Sequence, residues 1–157
     1  MSKTYQPRLP AVVSRNMAAI RGRENRTDVA LRRELHGLGL RFRKYVRALP
    51  GSPDIVFASA KVAVFVDGDF WHGRLLQERG LKAVRETLRT PNRDYWIAKL
   101  QRNSARDLKV DDDLRLAGWK VIRVWESDAK DSMARMARRI AAVVRRCRKG
   151  KRMVTDW

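Results

Sequence analysis

The sequence predicts an α/β fold, a mixed central β-sheet flanked by helices, on three observations. Residues 55–57 and 62–66 are unbroken apolar runs, as in strands buried on both faces. Residues 119–126 form a third strand-like run, and amphipathic helical stripes precede, separate and follow these strands. A sheet of about four strands accounts for that order.

The chain has 157 residues, the length of one ordinary domain with a real core. Apolar residues make up 44 %, which argues against global disorder. Its 36 Lys and Arg against 17 Asp and Glu give a formal net charge of +19. A globular protein this basic repels itself unless it meets a polyanion, and nucleic acid is the first candidate. A single cysteine, Cys147, excludes an internal disulfide framework. With only His36 and His72 beside it, a structural zinc site is not expected either. No apolar run approaches the ~18 residues of a transmembrane helix. Residues 1–10 lack the apolar core of a signal peptide, so a cytoplasmic, nucleoid-associated monomer is expected.

Residues 1–13 read as a flexible basic arm, 14–148 as one domain and 149–157 as a C-terminal tail. A helical turn or two is expected over 14–26. The first full helix spans 27–38, stopped by Gly39, with Leu31, Leu35 and Leu38 as its apolar line. That line runs back to Asp28, which is either a helix-dipole partner or an inward-facing functional carboxylate. Residues 41–46 suit a half-exposed strand, and Leu49-Pro50-Gly51-Ser52-Pro53 is turn chemistry. The two central strands, joined tightly by Ala58-Ser59-Ala60, should be antiparallel.

Residues 73–90 mix Arg, Lys, Glu and Leu around Gly80 and read as a mobile or partly helical segment. A long helix follows from about Pro91 to Ala117, closed by Gly118. Its inward line is Leu100, Asn103, Asp107, Val110, Leu114 and Ala117. Polar residues on a buried seam need partners, so Asn103 and Asp107 are site residues or members of a buried structural bond. The last helix spans about 127–148, with Met133, Met136, Ile140, Val144 and Cys147 as its packed stripe.

The central strands carry Asp54, Asp67 and His72 into one neighbourhood. Carboxylates at the ends of buried strands are costly unless they meet a cation or hydrogen-bond donors, and a metal ion is the simplest partner. A Pro53-Asp54 strand followed by a strand ending in an acid resembles the restriction-endonuclease-like PD-(D/E)xK nuclease core, in which strand-end carboxylates hold Mg²⁺ against a phosphate. The lysine of that motif is absent, because Val64-Phe65-Val66 runs uncharged to Asp67.

The resemblance sharpens over several spaced motifs. They are Ser14-Arg15-Asn16-Met17, Leu49-Pro50-Gly51-Ser52-Pro53-Asp54 and Val64-Phe65-Val66-Asp67-Gly68-Asp69-Phe70-Trp71-His72-Gly73, then Asn92-Arg93-Asp94-Tyr95-Trp96 through Asn103, Arg106-Asp107, and Gly118-Trp119-Lys120-Val121-Ile122-Arg123-Val124-Trp125-Glu126. In this order they resemble the very short patch repair (Vsr) endonucleases, bacterial enzymes that nick duplex DNA beside a T:G mismatch.

The resemblance implies Asp54 as the principal Mg²⁺ ligand, with the Val66 carbonyl beside it. It implies His72 as the catalytic histidine, Asp28 as an acid near the site, and Asp107 and Asn103 on the helix behind it. Asp67 stands where the family carries histidine and is assigned a metal-bound water. Phe70, Trp71 and Trp96 match aromatics that wedge into the base stack; the simpler reading makes them core residues. Lys99, Arg102 and Arg106 would neutralise phosphates, or else form ordinary solvated surface.

The family's structural zinc is not expected, since Asp69, Arg74, Leu76 and Ser127 stand at its ligand positions. Mismatch-repair proteins are candidate helpers. The competing readings are a nickase of other specificity, nonspecific or serving defence or mobile elements, and a basic DNA-binding protein without catalysis.

Overall fold

The computed structural model describes residues 26–155. The expected arm over 1–13, the helical turn before Arg26 and the last two residues of the tail lie outside them. The chain runs α1 (Arg26–Gly37), β1 (Arg43–Lys44), β2 (Ile55–Phe57), a 3-10 turn (Ala58–Ala60), β3 (Val62–Asp67), α2 (Arg74–Thr87), α3 (Arg93–Leu116), β4 (Lys120–Trp125), α4 (Glu126–Asp131) and α5 (Met133–Thr155). This is the predicted α/β architecture, with a four-stranded mixed sheet in the order β1-β2-β3-β4.

The central pair is antiparallel, with Ile55 opposite Val64. Strands β3 and β4 are parallel, with Val64 opposite Ile122, and the long crossover through α2 and α3 makes that direction possible. Alternation along the strands builds two cores. Val62, Val64 and Val124 face α1 and α5, where Leu31, Leu35, Ile140 and Val144 are buried. Ala63 and Phe65 face α3 and meet Leu114. Met133, Met136 and Cys147 pack against the first core, as the stripe of the last helix requires.

Four local expectations change. The strand over 41–46 contracts to Arg43–Lys44 because Tyr45 adopts φ +50, outside the extended region. The segment over 73–90 is largely helical. Its Leu75, Leu76, Val84 and Leu88 pack on Ile97 and Leu100, while Gly80 (φ 78, ψ −179) interrupts the turn pattern. The helix expected over 127–148 is two helices, broken at Ser132 (φ −155, ψ 81), and the second continues to Thr155. On α3, Ala117 lies past the helix end and is exposed, whereas Asp111 is buried. Among the described residues no helix is long and apolar enough to cross a membrane.

The turn before β2 fixes where Asp54 enters the sheet. Gly51 sits at φ +72, and a Cβ there would lie 2.5 Å from Val110 Cγ1 and 3.2 Å from Phe65 Cε1. Gly51→Ala therefore combines left-handed strain with overpacking against a stiff β-branched side chain, and should destabilise the fold by about 2–4 kcal/mol. A urea melt should show a lower midpoint at unchanged slope; an unchanged midpoint would contradict this packing.

Candidate active site

Antiparallel pairing brings the start of β2 to the carboxyl end of β3, so Asp54 and Asp67 arrive at the same edge of the sheet. Asp54 Oδ2 accepts a 2.7 Å hydrogen bond from the Val66 N–H. Burial pushes its carboxyl up from 3.8 to about 6, against that hydrogen bond, and the charges of Asp28 and Asp67 add to the rise. Asp54 forms no ion pair among the described residues.

Asp28 is 3 % exposed in the first turn of α1, so it points inward rather than capping the helix into solvent. Its Oδ2 accepts from the Tyr45 hydroxyl at 2.5 Å. Arg32 Nε approaches Oδ1 at 3.3 Å, but off the line of a hydrogen bond, and Oδ1 is left buried without one.

A raised carboxyl beside a second carboxylate with an orphaned oxygen fits a hard divalent cation. Among the described residues no three His, Cys, Asp or Glu side chains converge into a metal cage. A magnesium ion here would therefore rest on few protein oxygens, as it commonly does where water and substrate phosphate complete its shell.

Asp67 lies on the α3 face of β3, the same face as Phe65, and opposite Trp125 on β4. Arg123, two residues earlier on that face of β4, reaches Asp67 Oδ2 at 2.8 Å and Asp111 Oδ1 at 2.9 Å, with its guanidinium 4.4 Å from the Phe65 ring centroid. Burial raises the Asp67 carboxyl, although His72 and Arg123 oppose it. His72 Nδ1 is 2.6 Å from Asp107 Oδ2 and 3.6 Å from Asp67 Oδ1. Burial works against the imidazolium, but the Asp107 hydrogen bond and the two carboxylate charges outweigh it and raise His72 above 6.5. Burial alone would raise Asp107 too; the His72 hydrogen bond and charge hold it below its ordinary value.

Asn103 donates to the Trp71 carbonyl at 3.0 Å, so it fixes the backbone next to His72. The two polar residues on the α3 seam thus meet consecutive residues of one turn. A histidine held at Nδ1 by a carboxylate presents Nε2 for proton transfer, the arrangement of a general base or acid.

Phe70, Trp71 and Trp96 form one aromatic group, with centroids 5.2 to 5.9 Å apart. They belong to no buried cluster: Phe70 is 44 % exposed and the two tryptophans are half-buried, which removes the core reading. Tyr95 extends the group, 5.5 Å from Trp96 and 57 % exposed. Lys99 Nζ lies 5.3 and 5.2 Å from the Trp71 and Trp96 centroids. Arg102 is exposed one turn further along α3, and Arg106 beyond it lies 3.8 Å from Asp107 Oδ1.

Where the resemblance places zinc ligands, an ionic clasp stands instead. Arg74 Nη1 donates to Asp69 (3.1 Å), Ser127 (2.6 Å) and Asp128 (2.8 Å), and Nε donates to Glu78 (2.7 Å). The Ser127 hydroxyl and N–H both donate to Asp69, and with Arg74 they hold its carboxyl below the ordinary range even as burial opposes them. These bonds tie the turn carrying Phe70, Trp71 and His72 to the start of α4. Leu76 instead packs with Val84, Ile97 and Leu100.

Sequence reasoning missed Tyr45, Asp111 and Arg123. Arg123 carried a signal, a lone charge inside the run Val121-Ile122-Arg123-Val124-Trp125, and Asp111 follows Asp107 at i+4 on α3. Nothing in the sequence marked Tyr45.

A sequence profile described as DNA mismatch endonuclease Vsr matches residues 8–78. A type II nicking enzyme of Neisseria meningitidis serogroup C is 36 % identical over 129 residues, 82 % of this chain and 83 % of its own. A type II nicking enzyme of Lentzea aerocolonigenes is 42 % identical over 139 residues, 85 % of this chain and 79 % of its own. The DNA mismatch endonuclease Vsr of Escherichia coli strain K12 is 34 % identical over 116 residues, 74 % and 70 %.

The elevated Asp54 carboxyl makes a stability prediction. Between 3.8 and about 6 the unfolded chain ionises while the folded group stays protonated, so metal-free stability falls as pH rises through that window. Asp54→Asn should raise the metal-free melting temperature at pH 8, leave it unchanged at pH 3.5, and show none of the Mg²⁺-induced rise expected of the wild type at pH 8. Equal Mg²⁺ stabilisation of both proteins would remove Asp54 from the metal site.

Proposed function

The chain belongs to the Vsr DNA mismatch endonuclease family, and from that premise we propose a magnesium-dependent enzyme that nicks duplex DNA at T:G mismatches in very short patch repair. That it is a DNA endonuclease follows from the family, which sets aside a purely DNA-binding role. The single observation that carries the mechanism is the convergence of Asp54, lifted to about 6, with the His72–Asp107 pair at one edge of the sheet.

Asp54, the Val66 carbonyl and Asp28 would hold the magnesium ion, and Asp67, 3.6 Å from His72 Nδ1 and paired with Arg123, is the further acid of the site. When bound, the ion supplies charge neutralisation at the scissile phosphate and acidifies water. The residues of this chain do the rest. His72 Nε2 takes the proton of the attacking water, and Asp107 keeps Nδ1 as the donor and steadies the imidazolium that forms. Asn103 anchors the Trp71 carbonyl so that the ring cannot swing away with its turn. Water attacks phosphorus in line, the P–O3′ bond breaks, the departing O3′ takes a proton from solvent water, and the products carry 5′-phosphate and 3′-hydroxyl ends. Phe70, Trp71 and Trp96 offer stacking surface to an opened base step, and Lys99, Arg102 and Arg106 meet phosphates.

A second reading keeps the nickase and changes the substrate. Two of the relatives described above are type II nicking enzymes, which supports recognition of a sequence context other than that of the Escherichia coli enzyme. Nicking of T:G and matched duplexes at equal salt and Mg²⁺ separates the two. The repair reading predicts cutting of the mismatched strand with little cutting of the matched duplex; equal cutting of both would discard it.

The raised His72 gives the pH dependence its sign. The base form accumulates only above the folded pKa, so the acid limb of the metal-free titration lies above the ordinary 6.5. Asp107→Asn removes the charge and leaves only a neutral amide acceptor, so its limb should move to lower pH while the maximum rate falls. His72→Ala should cost about 10²–10⁴ in rate at every pH. A limb that moved to higher pH in Asp107→Asn would contradict the pairing.

A further inference from the structure

Tyr45 ends strand β1 in a left-handed conformation, at φ +50. Glycine or asparagine would sit there without strain. The conformation lets a single residue touch both carboxylate positions of the site. Its N–H donates to the Asp54 carbonyl oxygen at 3.1 Å, continuing the β1–β2 ladder by one bond. Its hydroxyl donates to Asp28 Oδ2 at 2.5 Å. Arg32 braces the phenol, with Nη2 3.5 Å from the hydroxyl and Cζ 5.4 Å from the ring centroid.

The phenol thereby holds Oδ2, while Oδ1 is buried with no hydrogen bond, 3.3 Å from Arg32 Nε. A carboxylate free to rotate would exchange its two oxygens. With Oδ2 pinned by the phenol, Oδ1 keeps its hydrogen-bond capacity unused, and the Asp28 charge acts on Asp54.

We propose that Tyr45 is a positioning residue that orients Asp28 so that Oδ1 faces the divalent cation. The proposal rests on the magnesium reading above. It also explains why a strained tyrosine stands where a relaxed glycine would fit, since glycine has no donor to offer. Strain of this kind persists where surrounding contacts over-determine it, and here those contacts are the Asp54 ladder bond, the Asp28 bond and the Arg32 brace.

The test uses the full chain and Mg²⁺ itself, read in two ways: the Mg²⁺-induced rise in melting temperature without DNA, and the Mg²⁺ dependence of nicking on a duplex that the wild type cuts. Tyr45→Phe should raise half-saturating Mg²⁺ by about 10- to 100-fold, the usual cost of removing a partner that orients a ligand, with KM for DNA unchanged. Tyr45→Gly removes the phenol and relieves the strain together. It should show the same weakened Mg²⁺ response with no loss of metal-free melting temperature. In an Asp28→Asn background, Tyr45→Phe should add nothing further, because its effect passes through Asp28. Wild-type Mg²⁺ dependence in Tyr45→Phe, or losses that add in the double variant, would overturn the assignment. A wild-type protein with no Mg²⁺ response in either readout would overturn the magnesium reading and this proposal with it.

Discussion

Buried negative charge at one edge of the sheet is the constraint on which the rest of this structure depends. Asp28, Asp67, Asp107 and Asp111 are each less than 9 % exposed, and Asp54 is half-buried beside them. Uncompensated, such a cluster would drive its members to take up protons or open the fold. Arg123 answers Asp67 and Asp111, His72 answers Asp107, and Arg32 stands by Asp28. Asp54 alone of the five forms no ion pair among the described residues, and burial raises its carboxyl to about 6. The chain carries a large positive excess, yet this edge retains an electrostatic deficit. A divalent cation brought between the site and a phosphate would fill it, which couples metal, substrate and fold.

The geometry divides labour between rigid and adaptable parts. Helix α1, the entry to β2, strand β3 and helix α3 supply the carboxylates, and β4 supplies Arg123, all from packed elements where position is set by strand register and helix period. Phe70, Trp71 and His72 instead ride on the short turn between β3 and α2, and Trp96 meets the two aromatics from α3. Asn103 holds that turn from α3, and the Arg74 clasp holds it from α4. The clasp is half-exposed, so its individual ion pairs are worth little in water. Its value lies in joining three separate segments through one planar guanidinium, a geometry that lysine could not reproduce.

Much of this was legible in the sequence. Continuous apolar runs gave the central strands, and their tight connection gave the antiparallel pair. The α3 periodicity pointed Asn103 and Asp107 inward, and both meet the turn at Trp71 and His72. What stayed hidden depends on long-range contact. Arg123 and Asp111 are 12 residues apart on different elements, and only the parallel pairing of β4 with β3 brings the arginine onto Asp67. Tyr45 left the strand expected over 41–46 because of a backbone conformation that its residue type does not favour. Segment 73–90 read as mobile or only partly helical, since few of its residues are apolar and the packing of Leu75, Leu76, Val84 and Leu88 on α3 is a tertiary contact. The break at Ser132 carried no proline or glycine to announce it. For Asp28 the sequence favoured a helix-dipole partner or cap, and its neighbours turn it inward instead.

The most direct test of the central claim is conversion of a cleavable duplex to nicked product by Asp54→Ala beside the wild type, with Mg²⁺ present and DNA binding measured in parallel. The account predicts that the variant binds the duplex and does not nick it, because the carboxylate with no cation of its own is the one that recruits the metal. Nicking at the wild-type rate by the variant would contradict it, and would place the chemistry at some group other than the paired ends of β2 and β3.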